Sequence, residues 1–146
     1  MAFDPMLQRQ IMGGFATGVT VVTTRYGDGE ITGMTANAVM SLSLEPPLVV
    51  VSVDKKGGMH GCLTEGQCFA MNILTRDQEN LSTRFAAPGP KDFSDLDLAE
   101  GETGAPILTG TLGYLDCKVT EVLSAGDHDM FVGEIVAGEL GEGAPL

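Results

Sequence analysis

From Thr17 to Leu140 the apolar residues fall into β-branched runs of strand length, each closed by a Gly, Pro or acidic turn. That rhythm restricts the fold more than any other feature of the chain. TGVTVVTTRY stops at Gly27-Asp28-Gly29 and EITGMTANAV resumes after it, which predicts a hairpin. Met40 to Leu44 alternates apolar and polar residues until Glu45-Pro46-Pro47 breaks the pattern. LVVVSV (48–53) is a continuous apolar run, the signature of a strand buried on both faces. Further strands are predicted at Phe69–Leu74, in LGYLDCKVTEVL, and in DMFVGEIVAGEL beyond the Ala125-Gly126-Asp127 turn.

Helical signals are short. Asp4-Pro5 is a helix start, and Leu7, Ile11 and Phe15 follow on one face up to about Gly13-Gly14. Met59 and Leu63 suggest a weak helix within 56–65, and Asp77 is expected to cap another that carries Leu81 and Phe85. Residues 88–106 bear acids at 92, 95, 97, 100 and 102 and no base after Lys91, so an exposed excursion is expected there. Six or seven strands against three short helices, with no βαβ rhythm and no repeat, predict a mainly β, antiparallel barrel in one domain over 1–146.

Composition narrows the function classes. With 43% apolar residues the chain can bury a core. Its 20 acids against 8 bases give a net charge of −12, which excludes a basic footprint for nucleic acid or an anionic membrane. No apolar run is long enough to span a bilayer, and Asp4 interrupts MAFDPMLQRQ before any signal-peptide core. Cys62, Cys68 and Cys117 suit neither a disulfide framework nor a zinc site, so a reducing, cytoplasmic setting is expected.

His60 and His128 stand apart, no metal-ligand spacing occurs, and there is neither a nucleophile elbow nor a phosphate loop. No metal is expected. An enzyme with this inventory must take its chemistry from a cofactor. Gly33-Met34-Thr35-Ala36-Asn37-Ala38 combines small residues, which let a planar ligand approach the backbone, with hydrogen-bonding side chains. Ser52, Asp54, Lys55 and Lys56 follow one strand later, where adjacent lysines suit an anionic group.

Six blocks in order, FATGVTVVT (15–23), GMTANA (33–38), SLSLEPPLVVVSVDK (41–55), FAMNIL (69–74), QENLSTRFA (78–86) and GDHDMFVGEI (126–135), resemble the short-chain NAD(P)H:flavin reductases. The resemblance implies a Greek-key split β-barrel of the FMN-binding type. It further implies a homodimer that reduces FMN or FAD with NADH or NADPH, often for a partner monooxygenase reached by diffusing reduced flavin. By matched position, Thr35, Ala36, Asn37 and Ala38 would line the isoalloxazine ring. Ser52, Val53, Asp54 and Lys55 would lie by the ribityl chain and phosphate, and Arg84, Phe85 and Ala86 would close the other side. Gly126, Asp127 and His128 would flank the nicotinamide, with His128 positioning it as the expected catalytic residue. The chain departs from the family's pattern at Gly57 and Met59, where hydroxyl residues are frequent, and at Ala38, where Ser is common; relatives also usually run past Pro145-Leu146. A flavin-retaining electron-transfer protein that does not use NAD(P)H is the alternative reading, and a barrel binding no flavin the third.

Overall fold

The computed structural model describes residues 2–146. Asp4 accepts a hydrogen bond from the Met6 N–H at 2.9 Å and Pro5 occupies the first turn, so α1 (Pro5–Met12) begins where its cap signals predict. There follow β1 (Thr20–Tyr26), β2 (Glu30–Ala36), β3 (Val39–Leu44), β4 (Pro47–Asp54), α2 (Gly58–Gly66), β5 (Cys68–Ile73) and α3 (Glu79–Ala86). Two three-residue strands, β6 (Leu98–Glu100) and β7 (Pro106–Leu108), pair with each other, and the long β8 (Gly113–Ala125) and β9 (His128–Leu140) end the chain.

Seven strands form one antiparallel sheet in the order β2-β1-β5-β8-β9-β4-β3. Strands β2 and β3 are consecutive in sequence yet occupy opposite edges, so the sheet curls without closing and a split runs beside the free edge of β2. Val22 of β1, Ala36 of β2, Val51 of β4, Phe69 of β5, Cys117 of β8 and Phe131 of β9 all meet in one buried cluster, which only a curled sheet allows. Met59 and Leu63 of α2 plug one side of it. Full burial of side chains such as Phe69, Phe131 and Leu63 contributes about 1.5–3 kcal/mol each. The expected hairpin, the buried 48–53 strand and the antiparallel barrel are all present.

A second apolar cluster covers the outer face, where Leu81 and Phe85 of α3 pack on Val21 and Leu74. Asn72, fully buried on β5, holds this layer in register. Its amide donates to the Val21 carbonyl at 2.9 Å and its oxygen accepts from the Leu108 N–H at 3.0 Å.

Two expectations need correction. Asp77 does not cap the third helix: Thr75 leads into a 3-10 turn (Arg76–Gln78), and the Gln78 side chain accepts from the Thr75 N–H at 2.9 Å. The capping signal lies two residues earlier because the tighter turn precedes α3. Nor is 88–106 fully exposed, since Phe93, Leu96 and Leu98 pack against the outer cluster and Ala105 is buried. Its acids face solvent while the apolar residues between them anchor the segment.

Candidate functional site

The split becomes a cleft of about 790 Å³. Strand β2 forms its floor from Glu30 to Met34. The end of β4 (Val53, Asp54) and the start of α2 make one wall; the end of α3 and residues 87–91 make the other. Because β2 is an edge strand, its outer backbone N–H and C=O groups have no partner strand on that side. A flat ligand with alternating donors and acceptors can therefore take the place of the missing strand.

Gly33 is what keeps the floor low. A Cβ there would sit 3.2 Å from the Phe85 ring and from Thr23, so any side chain would lift the aromatic wall. At Gly58 a Cβ would meet nothing within 4 Å, leaving the first turn of α2 open to the cleft. The first N–H groups of a helix have no intrahelical acceptor and carry the positive end of its dipole. The Gly57 N–H is spent on the Asp54 carbonyl at 3.0 Å, so it is the first turn of α2 from Gly58 onward that offers open backbone donors.

The expected residues are distributed as follows. Val53, Asp54, Phe85 and Ala86 line the cleft. Thr35 and Ala36 end β2 just past Met34; Thr35 donates its hydroxyl to the Ser82 carbonyl at 2.6 Å, tying the floor to α3. Asn37 and Ala38 form the exposed crossing from β2 to β3, and the Ser52 N–H donates to the Ala38 carbonyl at 2.9 Å. Lys55 does not line the cleft. Its ammonium donates to Ser124 Oγ at 2.7 Å and the Gly126 carbonyl at 2.8 Å, with Asp129 at 3.8 Å. Arg84 donates through both terminal nitrogens to Asp95, at 2.7 and 3.0 Å, and to the Asp92 carbonyl at 3.1 Å. That clasp raises the Arg84 pKa and holds the Asp95 carboxyl below the usual range, in both cases chiefly through their mutual hydrogen bonds.

Gly126 and Asp127 form a two-residue connection between β8 and β9, with Gly126 at φ +65°, the kind of position such hairpins fill with glycine. The Asp127 carbonyl accepts from the Lys55 N–H at 3.0 Å, and His128 stands opposite Asp54 in the β4–β9 register. The 126–128 corner therefore adjoins the Asp54 mouth of the cleft. His128 Nδ1 lies 2.8 Å from Asp127, which keeps that carboxyl below its ordinary pKa. His60 Nε2 pairs with Asp129 at 2.7 Å while its ring meets Phe131 edge-on, so this histidine pins α2 to β9. The Cys117 thiol is pushed up to about 12 by burial and then by Asp116, which makes it inert at neutral pH.

Sequence reasoning missed Tyr26, Glu30, Cys62 and Lys91 as cleft residues. Two of them carried a visible signal: Tyr26 is an aromatic placed immediately before a glycine turn, and Lys91 is the last base before the acidic run.

The flavin reductase-like domain model matches residues 12–146. The chain is 41% identical over 138 residues to the FMN reductase (NADH) SmoA of Agrobacterium fabrum, covering 94% of this chain and 78% of that protein. It is also 41% identical over 157 residues to the reductase component of the 4-nitrophenol 4-monooxygenase/4-nitrocatechol 2-monooxygenase of Rhodococcus opacus, covering 100% and 84%. Some relatives are longer, and the chain spans as little as 41% of one of them. The structure of the NADH:FAD oxidoreductase SgcE6 of Streptomyces globisporus superposes with a TM-score of 0.87 at 39% identity, over 96% of this chain and 87% of that one. With its curled antiparallel sheet, its split beside β2 and these matches over nearly its whole length, the chain belongs to the flavin reductase-like domain family.

Proposed function

We propose that this domain reduces a flavin, FMN or FAD, with NADH as hydride donor, and that the reduced flavin serves a partner monooxygenase. The observation that carries the reading is the cleft itself. It has a free strand edge for the polar rim of a ring system, apolar contact from Met34, Val53 and Phe85, and helix N–H groups for a phosphate. A bound flavin would supply the hydride-accepting chemistry, with the proton coming from solvent, so no protein nucleophile is needed. The chain's own part is to hold and orient. Phe85 and Met34 exclude water beneath the ring, and the β2 edge presents backbone groups to it. The first turn of α2, open at Gly58, would receive the phosphate, and the 126–128 corner lies beside the mouth through which the nicotinamide would enter. Asn37, Ala38 and Ser52 shape the far end of the floor, where β2 turns into β3.

Homodimerisation is part of the same proposal. Helix α1 buries none of its residues; Leu7 and Ile11 are 43 and 60% exposed on one face, and Phe15, which falls beyond the end of the helix rather than on it as expected, is 68% exposed. A helix with an apolar stripe needs a surface to cover it. No described helix is long and apolar enough to cross a membrane, and the three free thiols support a reducing, cytoplasmic setting. Spectral titration of the purified protein with FMN and FAD tests the reading: flavin binding with shifted absorbance is expected, and its absence would overturn it.

A further inference from the structure

The cleft does not end where a phosphate on the first turn of α2 would sit. From Met34 back to Glu30 its floor runs about 14 Å along β2, and α2 continues beside it for a full turn, rising about 6 Å from Gly58 to Cys62. This hairpin end is lined by Tyr26, Glu30, Ile31 and Cys62 on one side and Lys91 on the other. Two aromatic side chains line the cleft: Phe85 over the floor near Gly33, and Tyr26 at the hairpin end. Phe85 belongs to the outer core, whereas Tyr26 belongs to no core cluster and is partly exposed. Its hydroxyl lies beside the Cys62 thiol and the Glu30 carboxylate, which push its pKa upward, Cys62 most. Lys91 is the single basic residue of the lining and, unlike Lys55, Arg25 and Arg84, forms no ion pair with a carboxylate among the described residues. Its ammonium donates to the Ala87 carbonyl.

From this order of groups we propose that the hairpin end of the cleft is a subsite for the adenosine diphosphate arm of a dinucleotide, with Tyr26 stacking on the adenine. The reading rests on the flavin assignment above. Lys91 and the α2 N-terminus bracket the diphosphate, and Glu30 accepts from the adenine amine, a group that a purine presents and a phosphate or carboxylate does not. Two dinucleotides of the reaction carry this arm, FAD and NADH. FAD is the one whose diphosphate continues directly from the ring position over Met34 and Phe85.

Dissociation constants for FMN and FAD and the Michaelis constant for NADH, measured on the wild type, Tyr26→Ala and Tyr26→Phe, test the proposal. Base-on-aromatic stacking sets the expected size. FAD should bind the wild type more tightly than FMN, and Tyr26→Ala should cut that preference about tenfold while Tyr26→Phe retains it. A rise in the NADH Michaelis constant in Tyr26→Ala, with the FAD-to-FMN ratio unmoved, would also support the subsite and assign its adenosine to NADH. Wild-type FMN binding with no change in either quantity on Tyr26→Ala would overturn the subsite and leave the flavin assignment standing. Binding of neither flavin would overturn both. Tyr26 ends a strand at a partly exposed hairpin, so its replacement leaves the core clusters intact.

Discussion

His128 and the lysines show how much of this site depends on where single side chains are anchored. His128 stands at the start of β9, paired to Asp127 and in register with Asp54. That corner adjoins the Asp54 mouth of the cleft, the end proposed for the nicotinamide. His128→Ala is expected to raise the Michaelis constant for NADH and slow flavin reduction, with flavin affinity unchanged. Steady-state kinetics beside a flavin titration check this, and wild-type kinetics in the variant would reduce His128 to a turn residue. The lysine pair at 55–56 was legible as a cationic strand end, yet the sequence could not show that Ser124 and Gly126, some 70 positions away, would engage the Lys55 ammonium. Lys91→Ala should therefore weaken flavin binding several-fold at low salt, and by less at high salt as screening grows. Lys55→Ala should weaken it less, and the reverse order would contradict the assignment of Lys91.

At the scale of elements, strands and helices were largely readable because each carries its own period and its own breaker. The 48–53 run, the 27–29 turn and the Asp4-Pro5 start needed no tertiary information. The cleft did, because its floor, its two walls and its cation come from β2, β4, α2 and the segment after α3. As site residues Val53, Phe85 and Ala86 were reached only through resemblance, and no local pattern joins Tyr26 to Lys91. The Arg84–Asp95 clasp ties the segment that follows the 87–91 wall to α3. Asp95 and Asp92 have lowered pKa values, so their contribution is complete above the ordinary carboxylate range near pH 4 and is lost as pH falls through the lowered values. Asp95→Asn should loosen amide protection across 88–97 at neutral pH, as acid does to the wild type, with little change in global stability because the pair is exposed. Protection unchanged in the variant would show that Phe93 and Leu96 alone hold the segment. On β9, a Cβ at Gly133 would lie 2.5 Å from Phe69 and 2.8 Å from Cys117. Gly133→Ala should cost about 1–3 kcal/mol in denaturant unfolding through overpacking.

For the whole molecule, the structure shows which apolar surface a single chain leaves uncovered. It lies on α1, on the edge strand β3 at Met40, Leu42 and Leu44, and along the long hairpin, where Val122, Leu123, Val136 and Leu140 are exposed. A second copy of the chain covering these surfaces should make the protein a dimer at micromolar concentration. Leu7→Glu with Ile11→Glu should then shift sedimentation equilibrium towards monomer, whereas a monomeric wild type would contradict the pairing. None of these exposed residues lines the cleft, and a protein that releases its product flavin needs that cleft open. That release presupposes the central claim, that the cleft brings NADH to a bound flavin. Anaerobic stopped-flow mixing of flavin-loaded protein with NADH tests it most directly. Rapid bleaching of the oxidised flavin absorbance, saturable in NADH and slowed in His128→Ala, is the predicted result. A bound flavin that stays oxidised under excess NADH would contradict the account and mark the protein as a flavin carrier.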